Sequence, residues 1–304
     1  MTREESLSIT AYIAEKISTS APRMAYTKEE MRLAREGYSE EKLSLLEKEG
    51  YYFGDFEHFY TMLRFCEEMG LWGRVDGEYL RLLFSLSRKM SPEEFCLDPY
   101  LKNIRIKAQK KENILLTEAS YEAGEFFQYD MPDLAGEIVV PKIGFFTGKV
   151  SFPAVYEGNI PWVSVCPSEV YSMSPDLEKA EGRVLVLGLG LGYYPYRLME
   201  NKRVERITIV EKNPHIIALF REQILPQFPH KDKIRIVEAD AFEFLEETEN
   251  GAFDFCYADI WEGWEDGAAA YEKILPHEKR LWDCRFCYWI EKETLWYRKN
   301  VLNF

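Results

Sequence analysis

Residues 183–192 read RVLVLGLGLG, an apolar run that passes directly into Gly188-Leu189-Gly190-Leu191-Gly192. A run without period-two alternation suits a strand covered on both faces, as in a parallel sheet. Glycines straight after it let the chain turn sharply and let a ligand approach the backbone closely. The pattern then repeats. RITIVE, KIRIVEA, FDFCYAD and RFCYWIE are further strand candidates with amphipathic stretches between them, and Asn213-Pro214 and Asp240 are helix starts. Alternating strand and helix is the sign of a doubly wound, mostly parallel α/β sheet, here expected over 177–304. Few residues follow the fifth strand, so a terminal helix over 294–303 is expected.

The preceding chain has a different texture. Helical signals fill residues 1–112: Thr27 with Glu30 forms a capping box that Gly37 closes, Ser39 and Asp55 open further helices, residues 76–90 carry Leu80, Leu83 and Leu86 on one face, and Ser91-Pro92-Glu93-Glu94 is a helix start. Residues 113–176 read as a small β-rich unit and lid. Short β-type runs near 138–140, 143–146, 150–152 and 162–165 are broken by glycine and proline, and form one small antiparallel unit. The segment 161–169 enters the α/β domain as a lid, with Trp162 and Glu169 turned to its ligand. The helical region supplies acceptor specificity or a subunit interface, which leaves a homo-oligomer open.

Composition narrows the function. With 38 Lys and Arg against 52 Asp and Glu, the formal charge is -14. That balance argues against a protein gripping nucleic acid through its phosphates. No apolar run is long enough to span a membrane, and the N-terminus lacks the apolar core of a secretory signal. Six scattered cysteines read as reduced thiols, so a cytoplasmic protein is expected. Cys284 and Cys287 form a lone CxxC, read as structural, and the four histidines show no metal spacing, so no metal is expected.

The candidate site follows from the strand tips. A dinucleotide GxGxxG would place glycine where Tyr193 stands, which counts against a pyrophosphate cofactor. Glu211 ends the second strand, where a carboxylate accepts from both ribose hydroxyls. Asp240 follows the third strand and accepts from an adenine amino group, with Ala241 beside it. Asp259 falls at the carboxyl end of the fourth strand, where ligands of open α/β sheets bind. Acids ringing a site suit a cationic ligand without phosphates, and S-adenosylmethionine, a sulfonium, is such a ligand.

Gly188-x-Gly190-x-Gly192, Glu211, Asp240 and Asp259, in this order and spacing, resemble class I S-adenosylmethionine-dependent methyltransferases. VLVLGLGLG, ADAFEFL and FDFCYADIWEG look more closely like the spermidine-synthase-like branch. The resemblance implies that Gly188, Gly190 and Gly192 line the methionine end, that Glu211 takes the ribose, and that Asp240 and Ala241 take the adenine. It places Asp259 at the reacting centre, with Glu262 in the position of the second acid of an Asp-x-x-Asp stretch. The aminopropyl transferases of that branch carry an aspartate inside the glycine loop, and Leu191 stands there. Their Tyr-Gln step has only Val170-Tyr171-Ser172 as its nearest counterpart. The resemblance therefore implies an S-adenosylmethionine-dependent transferase, read first as a methyltransferase acting on a small-molecule or peptidic acceptor, with Asp259 and Glu262 as its catalytic acids. Aminopropyl transfer is the alternative, and a nucleoside-binding interaction protein on the same scaffold is another.

Overall fold

The computed structural model describes residues 1–134 and 136–302. By contacts the chain divides into two compact units, Met1–Phe95 with Ser120–Ser151, and Cys96–Ala119 with Phe152–Phe304. This division follows packing rather than the successive blocks 1–112, 113–176 and 177–304. Residues 96–119 pack with the later chain, and 120–151 with the first helices.

The first unit carries helices Arg3–Ser20, Lys28–Glu36, Glu40–Lys48, Phe56–Glu68 and Gly77–Leu86. Thr27 and Glu30 form the expected capping box, and Ser39 and Asp55 cap the helices they precede. The helix expected over 76–90 stops at Leu86. Arg88–Met90 instead forms a strand parallel to Gly144–Phe146. The expected strands 138–140 and 143–146 are one strand, Val140–Phe146, antiparallel to Phe126–Asp133. Pro141 is tolerated because the register shifts between Asp130 and Asp133, where the ladder is already broken. Phe59, Met62, Phe65, Leu83, Phe126 and Phe145 are among the buried residues of this unit's core.

A four-stranded sheet, most of it in the second unit, runs in the order Gln109–Lys111, Ile114–Tyr121, Val150–Glu157, Ile160–Ser164. The β runs of 138–165 therefore belong to two sheets rather than to one antiparallel unit. The larger sheet has five strands: β1 (Gly182–Leu187), β2 (Val204–Glu211), β3 (Ile234–Glu238), β4 (Phe255–Ala258) and β5 (Arg285–Tyr288). Their order is β3-β2-β1-β4-β5 and every pairing is parallel. The α/β doubly wound reading holds. Helices α1 (Tyr193–Leu198), α2 (Pro214–Leu219), α3 (Ala241–Glu247), α4 (Trp264–Arg280) and α5 (Glu291–Asn300) follow the strands in turn. The terminal helix starts three residues earlier than expected, and Asn303 lies outside the described residues. Val184 to Leu187 and Phe255 to Ala258 are all buried, which explains their uninterrupted apolar character. Among the described residues no helix is long and apolar enough to cross a membrane.

The order reverses between β1 and β4, the crevice where open α/β sheets bind ligands. Segment 160–164 and helix Pro167–Leu177 precede β1 in the same unit, and both border that crevice.

Candidate functional site

A cleft of about 620 Å³ opens at the carboxyl ends of β1, β2, β3 and β4. Gly188, Gly190, Glu211, Asp240, Ala241, Asp259 and Glu262 all line it. Gly192 does not. It has φ +72°, initiates α1, and a Cβ there would overlap the Phe220 ring. Its glycine is required by the packing of α1 against the helix after β2. Gly188, at φ +97°, is fixed for a similar reason: a Cβ would overlap the carbonyl oxygen of Asp259. Gly190 sits beneath the strand before the lid helix, and a Cβ there would lie 3.3 Å from Val163.

Glu211 is buried, and both its oxygens face backbone amides. Leu189 N–H donates to Oε2 at 3.1 Å and Asn213 N–H to Oε1 at 2.7 Å. The acid thus pins the glycine loop and the start of α2, while each oxygen keeps acceptor capacity for a ligand hydroxyl. Asp240 caps α3, with Oδ1 accepting from Phe242 N–H at 2.8 Å and Glu243 N–H at 3.3 Å. Its Oδ2 has no hydrogen bond among the described residues. Leu191 is buried, and its carbonyl accepts from the Tyr100 hydroxyl at 2.6 Å.

Asp259 is half-buried at the tip of β4, held by its N–H donating to Leu187 at 2.9 Å. Its carboxyl has no hydrogen bond among the described residues. Burial alone pushes it up to about 7, because an ion there loses solvation without a compensating partner. Glu169, in the first turn of the lid helix, lines the same cleft. Burial first, and then the charge of Asp259, push it up to about 8. Trp162 lines the cleft too, so both lid residues face it as expected.

Tyr257 of β4 was not singled out by the sequence reading. It is fully buried, stacks on Tyr194 with ring centroids 3.7 Å apart and borders the cleft, and its buried hydroxyl has no hydrogen-bond partner among the described residues. Only its place two residues before Asp259 in a buried strand hinted at it. Tyr193 is a packing residue: its hydroxyl donates to Asp98 at 2.9 Å and accepts from Arg197 at 2.8 Å. Trp261 borders the cleft, whereas Trp264 packs on Trp296 and Tyr297. Glu262 is exposed at the mouth, where its N–H donates to Asp266 at 2.8 Å.

Residues 170–274, about a third of the chain, match the spermine/spermidine synthase domain. Among curated proteins no sequence matches significantly. Similar solved structures include spermidine synthase of Thermotoga maritima, at 17% identity over 55% of this chain and 52% of that one, with a TM-score of 0.32. They also include the SAH-bound Podospora anserina methyltransferase, at 20% identity over 39% and 50%, with a TM-score of 0.31. A third is the precorrin 8w decarboxylase of Methanobacterium thermoautotrophicum, at 20% identity over 40% and 61%, with a TM-score of 0.30. The chain spans about half the length of the first of these structures.

Proposed function

We propose that this chain is an S-adenosylmethionine-dependent transferase that moves a methyl group to a small-molecule or peptidic acceptor. One observation carries the reading: Gly188, Gly190, Glu211, Asp240 and Asp259, far apart in sequence, border one cleft at the strand tips. The groups present fit such a nucleoside. Glu211 retains acceptor sites for ribose hydroxyls, the unengaged Oδ2 of Asp240 suits an adenine amino group, and the unpartnered carboxyl of Asp259 suits positive charge.

When bound, the cofactor supplies an electrophilic carbon on a sulfonium. The chain's own contribution is alignment: the loop 188–192 and Glu211 fix the nucleoside, and the lid residues 161–169 keep water from the reacting end. Asp259 holds or takes the proton of the incoming nucleophile, for which a carboxyl near 7 is suited.

Aminopropyl transfer from the decarboxylated cofactor is the second reading, favoured by the match over 170–274. Leu191 weighs against it, since a buried leucine stands where a carboxylate would hold the charged amino group of the aminopropyl chain. Isothermal titration with both cofactors and with S-adenosylhomocysteine tests the order. Tighter binding of S-adenosylmethionine is expected. Preference for the decarboxylated form would reverse the ranking, and no binding of any of the three would remove the transferase reading.

A further inference from the structure

The glycine loop is held from within and from outside. From within, Leu189 N–H donates to Glu211 at 3.1 Å and Gly192 N–H donates to the Leu189 carbonyl at 2.8 Å. From outside, the Leu191 carbonyl accepts from the hydroxyl of Tyr100, a residue 91 positions earlier in the chain. The outer anchor bears on the softest part of the loop. The Leu191–Gly192 peptide follows Gly190, at φ +51°, and ends on Gly192, at φ +72°. Glycines pass readily between left- and right-handed backbone, so a peptide set between them turns easily unless it is held. Tyr100 fixes its carbonyl and Leu189 fixes its N–H.

Tyr100 is itself locked in place. It is fully buried in the short helix Pro99–Asn103, and its ring meets those of Tyr193 and Tyr196 edge-on, with centroids 5.6 and 5.3 Å away. Asp98 caps this helix through Oδ1, which accepts from Tyr100 N–H at 2.9 Å. The Oδ2 of Asp98 accepts from the Tyr193 hydroxyl at 2.9 Å and from the Arg197 guanidinium at 2.7 Å. Asn103 donates to the Tyr196 hydroxyl at 2.9 Å. Residues 96–104 therefore grip both the loop and α1, the helix that follows it. Tyr100 is not among the residues that line the cleft, whereas Leu191 is. Whatever Tyr100 does to a bound molecule passes through the loop.

We propose that residues 96–104 are a brace for the ligand-binding form of the glycine loop, and that Tyr100 is a positioning residue that sets the affinity for the 5′ substituent of the bound nucleoside. The identity of that nucleoside rests on the transferase reading; the brace itself does not. Strand order decides which part of the ligand is affected. Asp240 follows β3, Glu211 ends β2, the loop follows β1, and these strands are neighbours in that order. A nucleoside with its base at Asp240 and its ribose at Glu211 lays its 5′ substituent over the loop. Base and ribose are held by side chains that Tyr100 does not touch, so freeing the Leu191 carbonyl weakens the grip on the 5′ substituent alone.

The test titrates S-adenosylhomocysteine and adenosine, which has the same base and ribose but no amino-acid chain, into the full chain. Tyr100→Phe keeps the ring and removes the hydroxyl. It should weaken S-adenosylhomocysteine by about threefold to tenfold, the range one hydrogen bond supplies, and leave adenosine within about twofold. Tyr196→Phe is the control. It deletes a hydroxyl from the same aromatic cluster but none at the loop, and should keep the wild-type ratio of the two affinities. Without ligand, hydrogen exchange of the amides of 189–192 should quicken by about tenfold in Tyr100→Phe, with that of 204–211 unchanged. Unchanged affinity for S-adenosylhomocysteine, equal weakening of both compounds, the same change of ratio in Tyr196→Phe, or unchanged loop exchange would overturn the proposal. Should Tyr100→Phe not fold, Asp98→Asn, which keeps the cap and loosens the grip on α1, must show the same selective loss. If wild type binds neither compound, the transferase reading falls, and loop exchange judges the brace by itself.

Discussion

At the β2 and β3 end of the cleft, the carboxyls of Glu211 and Asp240 accept from the protein's own amides, whereas at the β4 end the carboxyls of Glu169 and Asp259 have no hydrogen bond among the described residues. The first pair is held in position by the loop and helix starts it stabilises. The second pair is desolvated without compensation, which raises both carboxyls. The difference separates two kinds of acid: one built into the fold through the amides it accepts from, and one desolvated at the cleft wall without such a partner.

Four changes break or sharpen that contrast. The largest effect is expected where the ends meet, at Gly188. Gly188→Ala forces a Cβ against the Asp259 carbonyl at a left-handed φ. It should cost about 3 kcal/mol or more, a fall in Tm of about 6–12 °C, read by calorimetry. Next, Glu211→Gln keeps the shape but removes the charge, and should weaken S-adenosylhomocysteine by about tenfold to a hundredfold in titration calorimetry. Unchanged affinity would mean that Glu211 only braces the loop.

The third concerns pH. Glu169 and Asp259 bind their protons more tightly folded than unfolded. The folded state is therefore favoured below the unfolded carboxyl range near 4, and this stabilisation is lost as pH rises to about 8. Glu169→Gln removes one such group, so it should flatten the fall between pH 5 and 8 and be more stable than wild type at pH 8.5 by about 1–2 kcal/mol. Parallel stability profiles would show that the pair is solvated. The smallest effect is expected at Asp240. Asp240→Ala removes a helix cap at about 1 kcal/mol, whereas Asp240→Asn keeps it, and thermal melts of the two should differ by about 2–4 °C.

The five strands of the second unit were legible because burial on both faces leaves an unbroken apolar run, as in 184–187 and 255–258. The strands Ile114–Tyr121 and Phe126–Asp133 were not. ILLTEASY alternates only in burial, and FFQYDMPD carries aspartate and proline through an irregular ladder. At the site, Glu211, Asp240 and Asp259 were readable because strand tips of a parallel sheet converge whatever the intervening loops do. Gly192 was misplaced because spacing cannot tell a glycine needed beside a ligand from one needed beside Phe220. Tyr257 was hidden for the opposite reason, since a tyrosine inside a buried strand looks like packing until its hydroxyl is found without a partner among the described residues.

Three of the chain's seven tryptophans, Trp162, Trp261 and Trp289, border the same cleft from the lid strand, the turn after β4 and the end of β5. Their indoles carry a built-in optical signal. Filling the cleft exchanges water for ligand beside all three, so emission colour and intensity will report occupancy of the unlabelled protein. Replacing each in turn with phenylalanine will show which end of the cleft a given compound has entered.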